Sequence, residues 1–184
     1  LAEAGESMEK FFATGVTELG DRLGPILWQF APTKKFDEAD FGAFLDMLPR
    51  KRDGVTFRHA VEVRHESFCV PEFVALAKKH NVAIVYAQHP TYPAIADVTS
   101  DFVYARLQTG SDEIETCYGD NELSAWAERL KMWSGGGIVD DLPIIAPSES
   151  AKSASLDVFA FLISSGKSRA PAGAIALQEK ADQT

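Results

Sequence analysis

The sequence predicts an α/β fold of parallel β/α units with about five strands. Three observations predict it. Five short segments are apolar and rich in β-branched and aromatic residues: ILWQF (26–30), AVEVR (60–64), VAIVYA (82–87), FVYARL (102–107) and DVFAFLI (157–163). Segments with helical periodicity mostly stand between them. The intervals are too long for hairpins and suit crossover connections between parallel strands.

Met8, Phe12, Val16, Leu19 and Leu23 recur at three- and four-residue steps, which predicts one amphipathic helix over 7–22 with Ser7 as its cap. Gly24-Pro25 ends it ahead of the first strand. Phe41, Phe44, Leu45 and Leu48 mark a second helix, entered near Asp37 and closed by Pro49. After AVEVR, Pro71 opens a helix through Phe73, Leu76, Ala77 and His80, with Asn81 as terminator. Leu123, Trp126, Ala127, Leu130 and Trp133 define a helix over 121–134, stopped by Gly135-Gly136-Gly137. The polar stretch 138–155 is the one long loop, and an Ala-rich helix over 170–181 follows the last strand.

At 184 residues, 46% hydrophobic and 24% charged, the chain has an ordinary composition and reads as a single domain over 1–184. Its net charge of −9 argues against nucleic acid or an anionic membrane as partner. No apolar run reaches the roughly 18 residues that a membrane-spanning helix needs. Glu3, Glu6 and Glu9 stand where a secretory leader would be basic. Cys69 and Cys117 fit neither a CxxC nor a metal-ligand spacing and are expected as reduced thiols of a cytoplasmic protein. The chain opens Leu-Ala-Glu without an initiator methionine, so further sequence is expected upstream. No dinucleotide fingerprint or Walker loop is present; SGGGI at 134–138 follows a helix and reads as its stop, so no cofactor is expected.

Two architectures satisfy this order of elements: an open doubly wound sheet, or part of an eight-stranded β/α barrel. Both place function at the C-terminal ends of the strands. Side chains alternate along a strand, so Ala60, Glu62 and Arg64 share one face while Val61 and Val63 share the other. In FVYARL the same rule sets Tyr104, Arg106 and Gln108 against Val103, Ala105 and Leu107, and in ILWQF it sets Gln29 beside Leu27. Three strands thus aim polar groups at one place. A Glu–Arg pair about 5 Å apart gains roughly 3 kcal/mol at an effective dielectric near 20, and desolvating both charges cancels that gain. Arg64 and Arg106 outnumber Glu62, so a wet pocket for a polar or anionic ligand is favoured over a purely structural ion-pair network. Glu62, His65, Glu66 and His89 lack an HExxH-type spacing, and no metal is expected. Cys69 has no neighbour in sequence that would make it a thiolate nucleophile.

The segments LGDRLGPILWQFAP (19–32), AVEVRHESF (60–68), DFVYARLQ (101–108) and YGDNELSAWAERLKMW (118–133) resemble the YecE-like family, domain of unknown function 72. The resemblance implies a TIM-barrel-like fold in which this chain holds the last five β/α units and lacks the first three strands, an incomplete barrel. It aligns Gln29 with the family's Q-x-P pattern. Glu62, Arg64 and His65 align with its E-x-R-H motif, and Tyr104 and Arg106 with its Y-x-R-x-H-G motif. Relatives commonly carry His at the position of Gln108, Asp near Gln88, and an Asn pair at the end of the final strand, where this chain reads FLISSGK. Amides therefore replace two candidates for proton transfer.

The leading expectation is an enzyme acting on a small polar or anionic metabolite by acid–base chemistry, whether as isomerase, lyase or hydrolase. In it Arg64 and Arg106 bind the anion. Lys167 and Arg169 assist after the last strand, where barrels often grip phosphate. Glu62 and His65 exchange protons, the latter only if the strand ends by Arg64, and Gln29, Tyr104 and Gln108 supply hydrogen bonds. The alternatives are a non-catalytic ligand-binding barrel in which Glu62 holds the arginines, and a protein-interaction scaffold. The oligomeric state is not set by these features.

Overall fold

A computed structural model of the chain describes residues 4–146, 155–163 and 167–183. Helix α1 (Ala4–Phe12) buries Met8 and Phe12 and stops before Gly15, whose φ of 87° suits a residue without a Cβ. A 3-10 segment, Val16–Arg22, follows and is itself interrupted at Gly20. The single helix expected over 7–22 is therefore two pieces, and Ser7 lies inside α1 rather than at its cap. Leu19, assigned to the buried stripe, is 49% exposed.

Strand β1 (Ile26–Gln29) leads to α2 (Glu38–Met47), where the Asp37 carboxylate accepts the Asp40 amide at 2.8 Å, as an N-cap does. The sequence reading has nothing between α2 and the next strand, but a hairpin is there: β2 (Lys51–Arg52) pairs antiparallel with β3 (Val55–Thr56). Its turn residues, Asp53 and Gly54, both have positive φ (51° and 84°), the conformation that an Asp-Gly hairpin turn requires. Then come β4 (His59–Glu62), a 3-10 turn (Glu66–Phe68) and α3 (Pro71–Lys79), after which Asn81 turns the chain at φ 48°.

The expected strand over 82–87 divides at Val85 into β5 (Ala83–Ile84) and β6 (Tyr86–Gln88), and β7 (Phe102–Leu107) follows with the bounds expected of it. Helix α4 (Asp120–Ser134), strand β8 (Asp157–Leu162) and helix α5 (Ala170–Gln183) complete the chain. Of the predicted loop 138–155, residues 147–154 lie outside the described residues, as do Ser164 to Gly166 of the altered strand end. The near side of the loop is anchored by Asp97, whose carboxylate accepts the amides of Ile145 (2.7 Å) and Ala146 (2.9 Å).

The strands form two parallel sheets, β1-β4-β5 and β6-β7-β8, with no closed barrel among the described residues. Ala60 pairs with Ala83 across β4 and β5, and Tyr86 pairs with Ala105 across β6 and β7. Between the two registers the Val85 amide donates to Val61 at 2.9 Å, so one peptide separates the two pairings. Alternation divides the side chains as expected. Ile26, Trp28 and Val61 pack outward with α1, α2 and α3, while Val103, Ala105 and Leu107 pack outward with α4 and α5. In the second cluster Tyr86 lies 5.7 Å from each of Trp126 and Trp133, a contact whose loss on Trp→Ala would cost about 3–5 kcal/mol. Leu27, Ala60, Ala83, Val85, Phe102, Tyr104 and Phe159 form a third layer on the other face of the strands. Gln29, Glu62 and Arg106 continue that inner face to the C-terminal ends of β1, β4 and β7.

Candidate functional site

Register brings the site together. Gln29 is the β1 partner of Glu62 on β4, and Arg106 on β7 is the partner of Ala87 on β6. Ala87 is the residue that sequence reasoning passes over: it is buried, and as the β6 partner of Arg106 it holds that residue's backbone in register. Glu62 is fully buried. Its Oε1 accepts Arg64 Nε at 2.8 Å, and its Oε2 pairs with Arg106 Nη1. Gln29 Oε1 accepts from both guanidinium groups as well, from Arg64 Nη2 at 2.6 Å and from Arg106 Nη1 at 3.1 Å.

Two cations therefore share one carboxylate and one amide oxygen, and the cluster keeps a surplus positive charge. The Arg64 and Arg106 side chains are 18% and 12% exposed, against 0% for Glu62. Among the described residues Arg106 Nε on β7 and Gln108 Nε2 just beyond its end are buried donors without an acceptor. Tyr104 lies one step below Arg106, stacked on Phe161 with centroids 4.8 Å apart, and makes no hydrogen bond to the cluster. Burial pushes its phenol above the ordinary value; Arg106 opposes that shift and Glu62 reinforces it.

His65 is committed elsewhere. Its Nδ1 accepts the Ser67 amide at 3.1 Å and lies 2.9 Å from Ser67 Oγ, which caps the 3-10 turn over Glu66–Phe68. The strand pairing ends at Glu62, so strict alternation no longer sets where His65 points. Arg64, His65, Glu66 and Cys69 flank an open groove of about 420 Å³, whose other wall is Pro90 to Pro93. Burial pushes the Cys69 thiol up, and Glu66 adds to the shift, so the group is not poised as a thiolate.

The second residue missed is Tyr92. Its ring lies 4.7 Å from the Arg64 guanidinium and stacks on His89 at 4.1 Å with an interplanar angle of 15°. His89 thus touches the site through Tyr92, a contact that no sequence pattern signals. Gln108 makes no hydrogen bond to the Glu62 carboxylate; its backbone N–H donates to the Gln88 backbone carbonyl at 3.1 Å, while Gln88 Oε1 accepts the Tyr118 hydroxyl. Lys167 and Arg169 are exposed at the approach to α5 and make no ion pair or hydrogen bond with Glu62, Gln29 or the two arginines. Among the described residues no three His, Cys, Asp or Glu side chains gather as a metal-holding group.

A second ion pair lies at the other end of the inner face. Arg58, just before β4, reaches Asp157 at the start of β8 (2.6 Å), with its guanidinium 4.7 Å from the Phe159 ring and 5.5 Å from that of Phe102.

The family model described as protein of unknown function DUF72 matches residues 1–184. The chain belongs to the DUF72 family. The YecE-like resemblance of its strand-end motifs agrees with that membership. A DUF72 protein of Thermotoga maritima has a similar fold, at 19% identity and a TM-score of 0.66 over 98% of this chain and 65% of that one. A DUF72 protein of Enterococcus faecalis is similar at 16% identity and a TM-score of 0.67, over 100% of this chain and 68% of that one. A further structure from E. faecalis gives 16% identity and a TM-score of 0.60, over 97% and 66%. This DUF72 chain thus spans about two thirds of the length of its structural neighbours. None of the curated proteins matches it. No helix among its described residues is long and apolar enough to cross a membrane.

Proposed function

We propose that this DUF72 chain is one domain, an arc of a TIM-barrel-like β/α fold that binds a small anion at the C-terminal ends of its strands. Arg64 and Arg106 are the anion-binding groups, Glu62 and Gln29 orient them, and Tyr104 and Gln108 flank Arg106 along the chain. The observation that carries this reading is the ratio of charges: two guanidinium groups face one fully buried carboxylate, and the buried Arg106 Nε–H has no acceptor among the described residues. A carboxylate or phosphate oxygen supplies both the missing charge and the missing acceptor. Lys167 and Arg169 are assigned no part in it.

An acid–base enzyme built on Glu62 and His65 is the second reading. It asks Glu62 to exchange a proton while two guanidinium groups hold its oxygens, and it asks His65 to leave Ser67. We therefore give Glu62 an orienting role. Calorimetric titration with inorganic phosphate and with succinate tests the anion reading. Binding of either one that weakens about ten-fold or more in Arg106→Met is the expected result. Binding that is undiminished in both Arg64→Met and Arg106→Met would overturn it.

A further inference from the structure

We infer that Tyr92, itself held by His89, is the positioning residue for Arg64, an inference that rests on the anion-binding reading of the Glu62 cluster. Arg64 lies two residues beyond the last paired position of β4, so the sheet does not fix its long side chain. Its bonds to Glu62 and Gln29 lie in the guanidinium plane and leave that plane free to tilt about them. The Tyr92 ring, 4.7 Å away, supplies contact to the guanidinium face and so limits the tilt. Arg106 has no aromatic ring of this kind over its guanidinium among the described residues, and unlike Arg64 it stands at a paired position within its strand, between Ala87 and Phe161.

The segment His89-Pro90-Thr91-Tyr92-Pro93 is built to present that ring. Two prolines restrict the backbone on either side of Thr91-Tyr92. The Nδ1 of His89 accepts the amides of Thr91 (3.1 Å) and Tyr92 (3.3 Å), which closes the turn, and the imidazole stacks on the Tyr92 ring at 4.1 Å. One histidine thus fixes both the backbone and the ring of Tyr92. Tyr92 and Arg64 line the same groove, so the contact lies on an open approach to the cluster.

The test reads Arg64 directly and needs no knowledge of the natural ligand. In a ¹H–¹⁵N correlation of arginine Nε–Hε groups on the full chain, Arg64→Lys identifies the Arg64 signal. We expect that signal to be displaced by the tyrosine ring current in the wild type and in Tyr92→Phe. In Tyr92→Leu, which keeps the apolar bulk, the displacement should vanish and solvent exchange should quicken several-fold. His89→Ala, which keeps Tyr92 and guards against a misfolded Leu variant, should move the signal part of the way. The dissociation constant for inorganic phosphate should rise about three- to five-fold in Tyr92→Leu and stay put in Tyr92→Phe. An Arg64 signal unchanged in both Tyr92→Leu and His89→Ala overturns the inference while leaving anion binding intact. Phosphate binding that is absent in the wild type fails the anion reading instead, and the Nε–Hε comparison still decides the role of Tyr92.

Discussion

The two ends of the inner strand face carry ionic clusters of opposite character. At the N-terminal end Arg58 and Asp157 are matched one to one, and Asp157 is 69% exposed, so solvent screens the pair and its guanidinium rests on the rings of Phe102 and Phe159. At the C-terminal end Glu62 is sealed from solvent between Arg64 and Arg106, and the charges do not balance. Both clusters link β4 or its approach to strands of the second sheet. A fold that needed only a clasp between its sheets could use the first kind at either end. The unbalanced, buried kind costs desolvation that a structural role does not require, which is why we assign function to one end alone.

The largest effect that would sharpen this contrast is on Glu62. Glu62→Gln leaves two largely buried guanidinium groups without their carboxylate and should lower the unfolding free energy by about 3–5 kcal/mol, read from urea denaturation. Phosphate should restore more stability to this variant than to the wild type, because the surplus charge has grown. Arg106→Met should weaken phosphate binding by about ten-fold or more, in keeping with the loss of a charged hydrogen bond, as titration calorimetry would show.

A pH series separates the two sides of β4. On its outer face His59 is buried as a neutral ring: the Trp28 indole donates to Nδ1 at 3.1 Å, and Nε2 lies 2.8 Å from the Pro49 carbonyl. Burial holds His59 below its ordinary value of 6.5, with Pro49 opposing and Arg50 assisting, and burial shifts His80 the same way. As pH falls the unfolded chain takes up protons first. The stability should be whole above about pH 6.5 and should decline below it by up to about 1.4 kcal/mol per pH unit for each histidine. Denaturant midpoints from pH 8 to pH 5 check this, and His59→Gln should flatten the slope. The smallest effect belongs to the exposed end: Asp157→Asn should change stability by no more than about 0.5 kcal/mol. A loss matching that of Glu62→Gln would break the comparison.

Much of this arrangement was legible in the sequence. Alternation alone put Gln29, Glu62 and Arg106 on one face, because a strand packed under helices leaves its other face to whatever polar residues it carries. Strand β7 and the Asp37 cap of α2 fell where expected, since an apolar run interrupted only by Arg106 and an Asp before a helix each have one local meaning. VAIVYA was different: a six-residue apolar run carries no mark of where its hydrogen-bonding partner changes. The helix expected over 7–22 failed at Gly15, where a periodic pattern of apolar residues outweighed a backbone signal. Asp53-Gly54 was a readable turn, hidden because its strands are only two residues each. Tyr92 and Ala87 were beyond reach for opposite reasons. Tyr92 acts through space from a turn that a histidine ring closes, and Ala87 acts through backbone pairing alone, which its side chain does not signal.

The division at Val85 bears on how the molecule comes apart. One amide, bonded to Val61 of the first sheet, sits directly before the residue that pairs with Ala105 of the second. To exchange its hydrogen with solvent that amide must lose its hold on β4, whereas amides deep in β7 need only the second sheet to open. Comparing the exchange rates of Val85 and Ala105 therefore reads out whether the protein melts as one cooperative unit or sheds its two sheets in sequence.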